Sequence, residues 1–208
     1  MSDYVRTIIF MNSHTAITAI IAIRAGQFPA LHPTGHRAKT CKRAPSATYW
    51  FERGSAAELD GDFAHARYCY HRAISQRPDY AQAHNQLGKI AHELANVTMP
   101  ASTSTDAALT AAVDRYAQLS VAEAHYRLAL CSAPTEAIYW FNLGLVLGLR
   151  GSWSLAIAAF EAALVHDVML HQAHAQLAEL YQQRLRAGDA HAARLVIRHL
   201  SAARRGQR

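Results

Sequence analysis

The stretch 137–167, AIYWFNLGLVLGLRGSWSLAIAAFEAALVHD, constrains the fold of this chain more than any other. Trp140, Leu143, Gly144 and Leu147 recur at i, i+3, i+4 and i+7, and Ala156, Phe160 and Ala163 at i, i+4 and i+7. That spacing predicts two helices joined by a tight turn at Gly151. One such hairpin cannot bury its apolar face alone, so the chain must supply copies of it.

The copies are present. Trp50, Gly54, Ala57, Gly61, Ala66, Tyr70, Ala73 and Pro78 fall in the slots of Trp140, Gly144, Leu147, Gly151, Ala156, Phe160, Ala163 and Val168. A further unit opens at Ala81 with His84, Leu87, Gly88 and Ala91, loses register, and regains it at Ala122, Tyr126, Ala129 and Pro134. Gly and Ala stand 12 residues apart in the first and third units but 34 apart between Gly88 and Ala122, which marks an insertion over 96–119. A fourth unit begins at His171 with His174, Leu177, Ala178 and Tyr181, then runs long before Gly188, Ala193, Ile197 and Leu200. The small residues belong where two helices cross closely, the aromatic ones fill the adjacent gap, and Pro78 and Pro134 stop the second helices.

Within the insertion, DAALTAAVDRYAQL predicts a separate helix near 106–118, capped by Ser104 or Thr105. Ser120 and Glu123 then fit a capping box, which predicts that a new helix starts there. The expected fold is all-α, a solenoid of stacked helix-turn-helix units with one inserted helix. Its units lie near 47–80, 81–136, 137–170 and 171–200, between an apolar and basic arm at 1–46 and a basic tail at 201–208.

This pattern resembles the tetratricopeptide repeat, a helix-turn-helix unit of about 34 residues with W-x2-L-G-x2-Y followed by A-x3-F, A and P. The resemblance spans about 47–200. The third unit fits best and lacks only the final Pro, where Val168 stands; Arg53 replaces the usual Leu, and His84 and His174 replace the usual Trp. It implies a concave groove lined by the first helices that binds extended peptides or partner helices. By helical phase the contact residues are Phe51, Asn85, Lys89, Phe141, Leu145, Leu149 and Glu179, joined by Asn142, which lies one position further round and resembles the amide positions that some family members use to hold peptide backbone. Phe51, Phe141, Leu145 and Leu149 supply apolar pockets, and Asn85 and Asn142 supply amides for the partner's backbone. The helix carrying Ile138, Phe141, Leu145 and Leu149 is apolar all round, so both of its faces need cover. That cover is the inserted helix, the N-terminal apolar segment or a partner protein. The family's two-carboxylate clamp for chaperone C-termini is not expected, because Phe51, Ser55, Ile138 and Asn142 stand where it needs cationic and amide groups.

The formal charge of +6 is concentrated at the ends. Residues 1–46 hold one acid and six Lys or Arg, 190–208 hold five Arg and no acid, and the body between them has fourteen acids against ten bases. Basic ends admit a rival reading, an adaptor that touches nucleic acid. A second rival, a membrane-tethered assembly factor, depends on residues 7–23, which are apolar but interrupted by Asn12, Ser13 and His14. Residues 24–46, rich in Pro, Gly and basic side chains, predict a flexible linker.

No nucleophile elbow, phosphate loop, dinucleotide fingerprint or zinc-protease motif occurs in the chain. Its thirteen His and three Cys show no metal-ligand spacing, and the Cys are expected to be reduced and mostly buried. The expectation is a non-enzymatic, cytoplasmic scaffold with a protein or peptide partner, no metal, no cofactor and no small-molecule substrate.

Overall fold

The computed structural model describes residues 45–97 and 105–205. Eight helices make up these residues: α1 (Ala47–Leu59), α2 (Phe63–Gln76), α3 (Ala81–Val97), α4 (Thr105–Ser132), α5 (Ala137–Leu149), α6 (Trp153–His166), α7 (His171–Arg186) and α8 (Ala192–Arg205). They pair as α1–α2, α3–α4, α5–α6 and α7–α8, and each hairpin packs on the next, so the described residues form the expected all-α solenoid. Residues 1–44, 98–104 and 206–208, with the expectations placed on residues 7–23, on the linker up to residue 44 and on Ser104, lie outside the described residues.

Each hairpin is punctuated by local chemistry. The Ser46 hydroxyl accepts from the Tyr49 backbone N–H, and an Asp62 carboxylate oxygen accepts from that of His65, capping α1 and α2. At the α5–α6 turn Gly151 has φ +76°, the Gly151 N–H donates to Gly148 and the Ser152 N–H to Leu147. This double closure of a helix end needs a left-handed residue, which Gly supplies without strain.

The repeat slots are the core. Ala66, Ala122 and Ala156 are wholly buried, as are Tyr70 and Tyr126, with Phe160 all but so. A Cβ placed on Gly54, Gly88 or Gly144 would lie 2.6–2.7 Å from a ring carbon of Tyr70, Tyr126 or Phe160. The first helix of each of the first three hairpins therefore rests on the aromatic ring of its own second helix, a contact only Gly permits at that separation.

The Trp slot has a second duty. The Trp140 indole N–H donates to the carbonyl of Pro134 at 2.8 Å, tying α5 to the end of the preceding hairpin. The His84 Nε2 lies 2.9 Å from the Pro78 carbonyl, and the His174 Nε2 lies 3.2 Å from the Val168 carbonyl, six residues back in every case. Histidine replaces tryptophan here because its ring nitrogen serves the same acceptor.

Four features depart from expectation. First, α4 is one unbroken helix of 28 residues. The Ser120 hydroxyl donates back to the Tyr116 carbonyl instead of capping a new helix. The Glu123 carboxylate is buried and pairs with Arg127 and Arg150. Arg150 also lies over the Tyr116 ring, bracing α4 against the end of α5. The inserted sequence thus lengthens a second helix and adds no separate one.

Second, the register of α8 is one residue earlier than the spacing implied. Ala192, Val196 and His199 are buried, whereas Ile197 is 69% exposed. Third, Cys69 is buried as expected but Cys131 is exposed. The last helix also continues through Arg205, into the stretch read as a tail.

Candidate functional site

The first helices carry the groove, and the structure divides its two halves by how far their side chains are already engaged. In the α1–α3 half, Glu58 is a hub. Its carboxylate accepts from the Tyr70 hydroxyl at 2.8 Å, the Gln86 amide at 3.1 Å and the Lys89 ammonium at 3.0 Å. Burial and that carboxylate push the Tyr70 hydroxyl up to about 12, so it remains a donor. Lys89 is thereby held by Glu58, and Phe51 sits between the rings of Tyr70 and Tyr80, at 5.5 and 5.1 Å.

At the middle of the groove the Asn142 amide donates to the Asn85 side-chain oxygen at 2.9 Å, bridging α5 to α3. The two expected backbone-holding amides are therefore brought together, each with hydrogen-bonding capacity to spare. Phe141 is buried against Phe160, with ring centroids 5.6 Å apart, and forms floor instead of contact surface.

The α5–α7 half is different. Leu145, Leu149 and Glu179 converge on one pocket of about 450 Å³, completed by His92 and Asn96 of α3, Trp153 of α6, and Gln176, Leu180 and Gln183 of α7. Leu149 and Trp153 are nearly half exposed at its mouth. Burial lowers the pKa of His92, so its imidazole is neutral near pH 7. Glu179 then supplies the formal charge of the lining, and the three amides supply donors and acceptors. Such a pocket accepts an apolar side chain while its rim favours a cation and a polar backbone.

Of the eight residues expected at the site, Leu145, Leu149 and Glu179 are united, Asn85 and Asn142 are joined beside them, and Phe51, Lys89 and Phe141 are engaged within the solenoid. Trp153 and Leu180 escaped the reading by helical phase. Trp153 lies in the first turn of a second helix and reaches the pocket over the turn at Gly151. The one available signal was a large aromatic residue two positions after a helix-breaking glycine.

The apolar row on α5 is covered in part. Phe141 is buried and Leu145 half-buried, while Ile138 and Leu149 remain about two-fifths exposed. Across the α5–α6 hairpin a second, more apolar groove of about 660 Å³ runs between Leu130, Cys131, Trp140, Leu147 and Leu155. Among the described residues no group of three or more His, Cys, Asp or Glu is placed to hold a metal ion. No described helix is long and apolar enough to cross a membrane.

Fold and site together define a class, an α-solenoid built from helical hairpins with a partly apolar pocket between α5 and α7. The first hairpin, residues 47–80, matches the tetratricopeptide repeat family, and the resemblance read from the sequence stands. Among the solved structures that share the fold are two of MamA. A double mutant of MamA RS-1 superposes with a TM-score of 0.58 at 16% identity, over 79% of this chain and 76% of that one. MamA 41-end from Desulfovibrio magneticus RS-1 gives 0.57 at 17% identity, over 77% of each chain. No curated protein sequence matches the chain.

Proposed function

We propose that the protein is a non-enzymatic scaffold that holds a partner polypeptide in its concave groove, with the α5–α7 pocket as the anchor point. The observation that carries this reading is the open pocket at Leu145, Leu149, Trp153 and Glu179, whose apolar walls are not consumed by packing between hairpins. A partner segment places one large apolar side chain there and presents its backbone to Asn96, Gln176 and Gln183. A Lys or Arg next to that anchor meets Glu179. The Asn85–Asn142 bridge marks the path toward the α1–α3 half.

Selection from a displayed random-peptide library tests this with the full chain. The expected result is enrichment of a bulky apolar residue beside a Lys or Arg. Binding should fall at least tenfold in Leu149→Ser, and Glu179→Gln should remove the preference for the cation. Leu149 is exposed enough that its loss leaves the fold intact, which circular dichroism checks. Absence of enrichment, or selected peptides that bind Leu149→Ser unchanged, refutes the anchor.

A further inference from the structure

The Trp slots of the second and fourth hairpins hold His84 and His174, and each of these meets a second histidine. The Nδ1 atoms of His84 and His125 are 3.2 Å apart, and those of His174 and His199 are 2.8 Å apart. The chemistry of each contact is fixed by the neighbouring carbonyl. A carbonyl only accepts, so His84 carries its proton on Nε2 toward Pro78, and His174 carries its own toward Val168. Their Nδ1 atoms are then bare acceptors. His125 and His199 must therefore be the Nδ1–H tautomers, each donating across the hairpin from its second helix to its first.

This arrangement holds one proton between two ring nitrogens. A proton added to the outer nitrogen of His125 or His199 keeps the contact but buries a charge. A further proton, on the His84 or His174 Nδ1, sets two N–H groups against each other and breaks it.

We propose that the His84–His125 and His174–His199 pairs are acid-sensitive locks, which release α3 from α4 and α7 from α8 while the Trp140 hairpin stays closed. The lock belongs to the hairpins themselves and stands whatever the groove binds.

The surroundings oppose charge at both pairs. Near the first, His71 of α2 lies 6.1 Å from the His125 ring, and Arg67 acts on His71. Glu123, two residues before His125, is already engaged by Arg127 and Arg150. Burial, with His84 and His71 alongside, pushes the His125 imidazole down to about 4. Near the second pair, His171 of α7 and Arg198 and Arg205 of α8 add positive charge, and the Tyr181 ring stacks on His199 at 5.8 Å. Glu161 of α6 opposes them in part, yet burial leaves both His174 and His199 below the ordinary value.

The sign follows from linkage. An opened hairpin exposes imidazoles that titrate near the ordinary value of about 6.5. The closed one takes up protons only at lower pH, so the open form binds more protons below that value. Both locks are therefore at full strength above about pH 6.5 and weaken as the pH falls below it, the first of them toward about 4. For His125 alone, opening is favoured on the order of tenfold between about pH 7 and about pH 5.

Hydrogen exchange of the full chain, corrected for intrinsic rates, tests the proposal. Exchange in α3 and α4 should rise on the order of tenfold over that interval, exchange in α7 and α8 should rise as well, and exchange in α5 and α6 should not. The double variant His84→Trp/His125→Ala sets Trp against Ala, as Trp140 and Ala159 stand in the third hairpin, and should cut the rise in α3 and α4 alone, the half-buried His92 of α3 keeping a part of it. Equal acceleration in α5, or an unchanged pH response in the double variant, overturns the proposal. Should that variant fail to fold, ring-nitrogen chemical shifts of the natural chain decide. Titration of His125 and His199 below the ordinary value of about 6.5, with the tautomers given above, supports the locks. Titration at or above 6.5 overturns them.

Discussion

Adding one methyl group at Gly144 measures how tightly the third hairpin is crossed. In Gly144→Ala the new Cβ would stand 2.6, 2.7 and 3.0 Å from three ring carbons of Phe160. Ordinary carbon contacts begin near 3.5 Å, so ring or helix must move by about 1 Å. The ring has little room, since Phe160 is 1% exposed and lies against Phe141. Overpacking of this kind costs about 1–3 kcal/mol, while Ala gains about 1 kcal/mol over Gly in a helix. The expected net is a loss of up to about 2 kcal/mol. Gly148, one turn later, is the control, because its added Cβ meets only the Ala156 methyl at 4.0 Å. Gly148→Ala should therefore stabilise by about 0.5–1 kcal/mol. Urea denaturation followed by Trp140 and Trp153 fluorescence reads both as shifts of the midpoint in opposite directions. Pairing Gly144→Ala with Phe160→Val, after Ala178 and Val196 of the fourth hairpin, should yield a favourable coupling of at least about 0.5 kcal/mol. Equal midpoint shifts for the two glycine variants, or zero coupling, would refute the close-crossing argument.

Three further outcomes are expected. Glu123→Gln removes the carboxylate that holds Arg150 and Arg127, and should cost about 2–4 kcal/mol in thermal or urea unfolding. Trp140→Phe deprives the Pro134 carbonyl of its donor at 2.8 Å and should cost about 1 kcal/mol beyond the packing change; Trp140→His should recover part of that bond. On α8, Val196→Gln should destabilise by about 2 kcal/mol or more, whereas Ile197→Gln should stay within about 0.5 kcal/mol, with circular dichroism melts separating the two.

The repeat slots could be read from the chain because their physics is local and stereotyped. A glycine opposite an aromatic residue, and an alanine four residues before it, have few alternative explanations, and Gly88–Tyr126 kept its meaning across the long insertion. The register of α8 was hidden because Ala192 and Ala193 are identical and Val196 and Ile197 nearly so. A turn one residue shorter then leaves no trace in composition. The continuity of α4 was hidden because a Ser followed three residues later by a Glu fits a helix start and a helix interior equally well. At the groove, helical phase located Leu145, Leu149 and Glu179 but could not show that Lys89 is held by Glu58, 31 residues away. Nor could it show a residue such as Trp153 reaching over from the neighbouring helix.

The glycine–aromatic crossings also bear on how the chain tolerates shuffling. The first three hairpins share one fitting, a bare backbone on one helix and a flat ring on the other, so a first helix from one should seat on the second helix of another. The fourth has changed both halves, with Ala178 and Val196 in their place, and its parts are not interchangeable with the rest. Recombination within this chain is therefore free among three positions and, at the fourth, works only when both helices travel together.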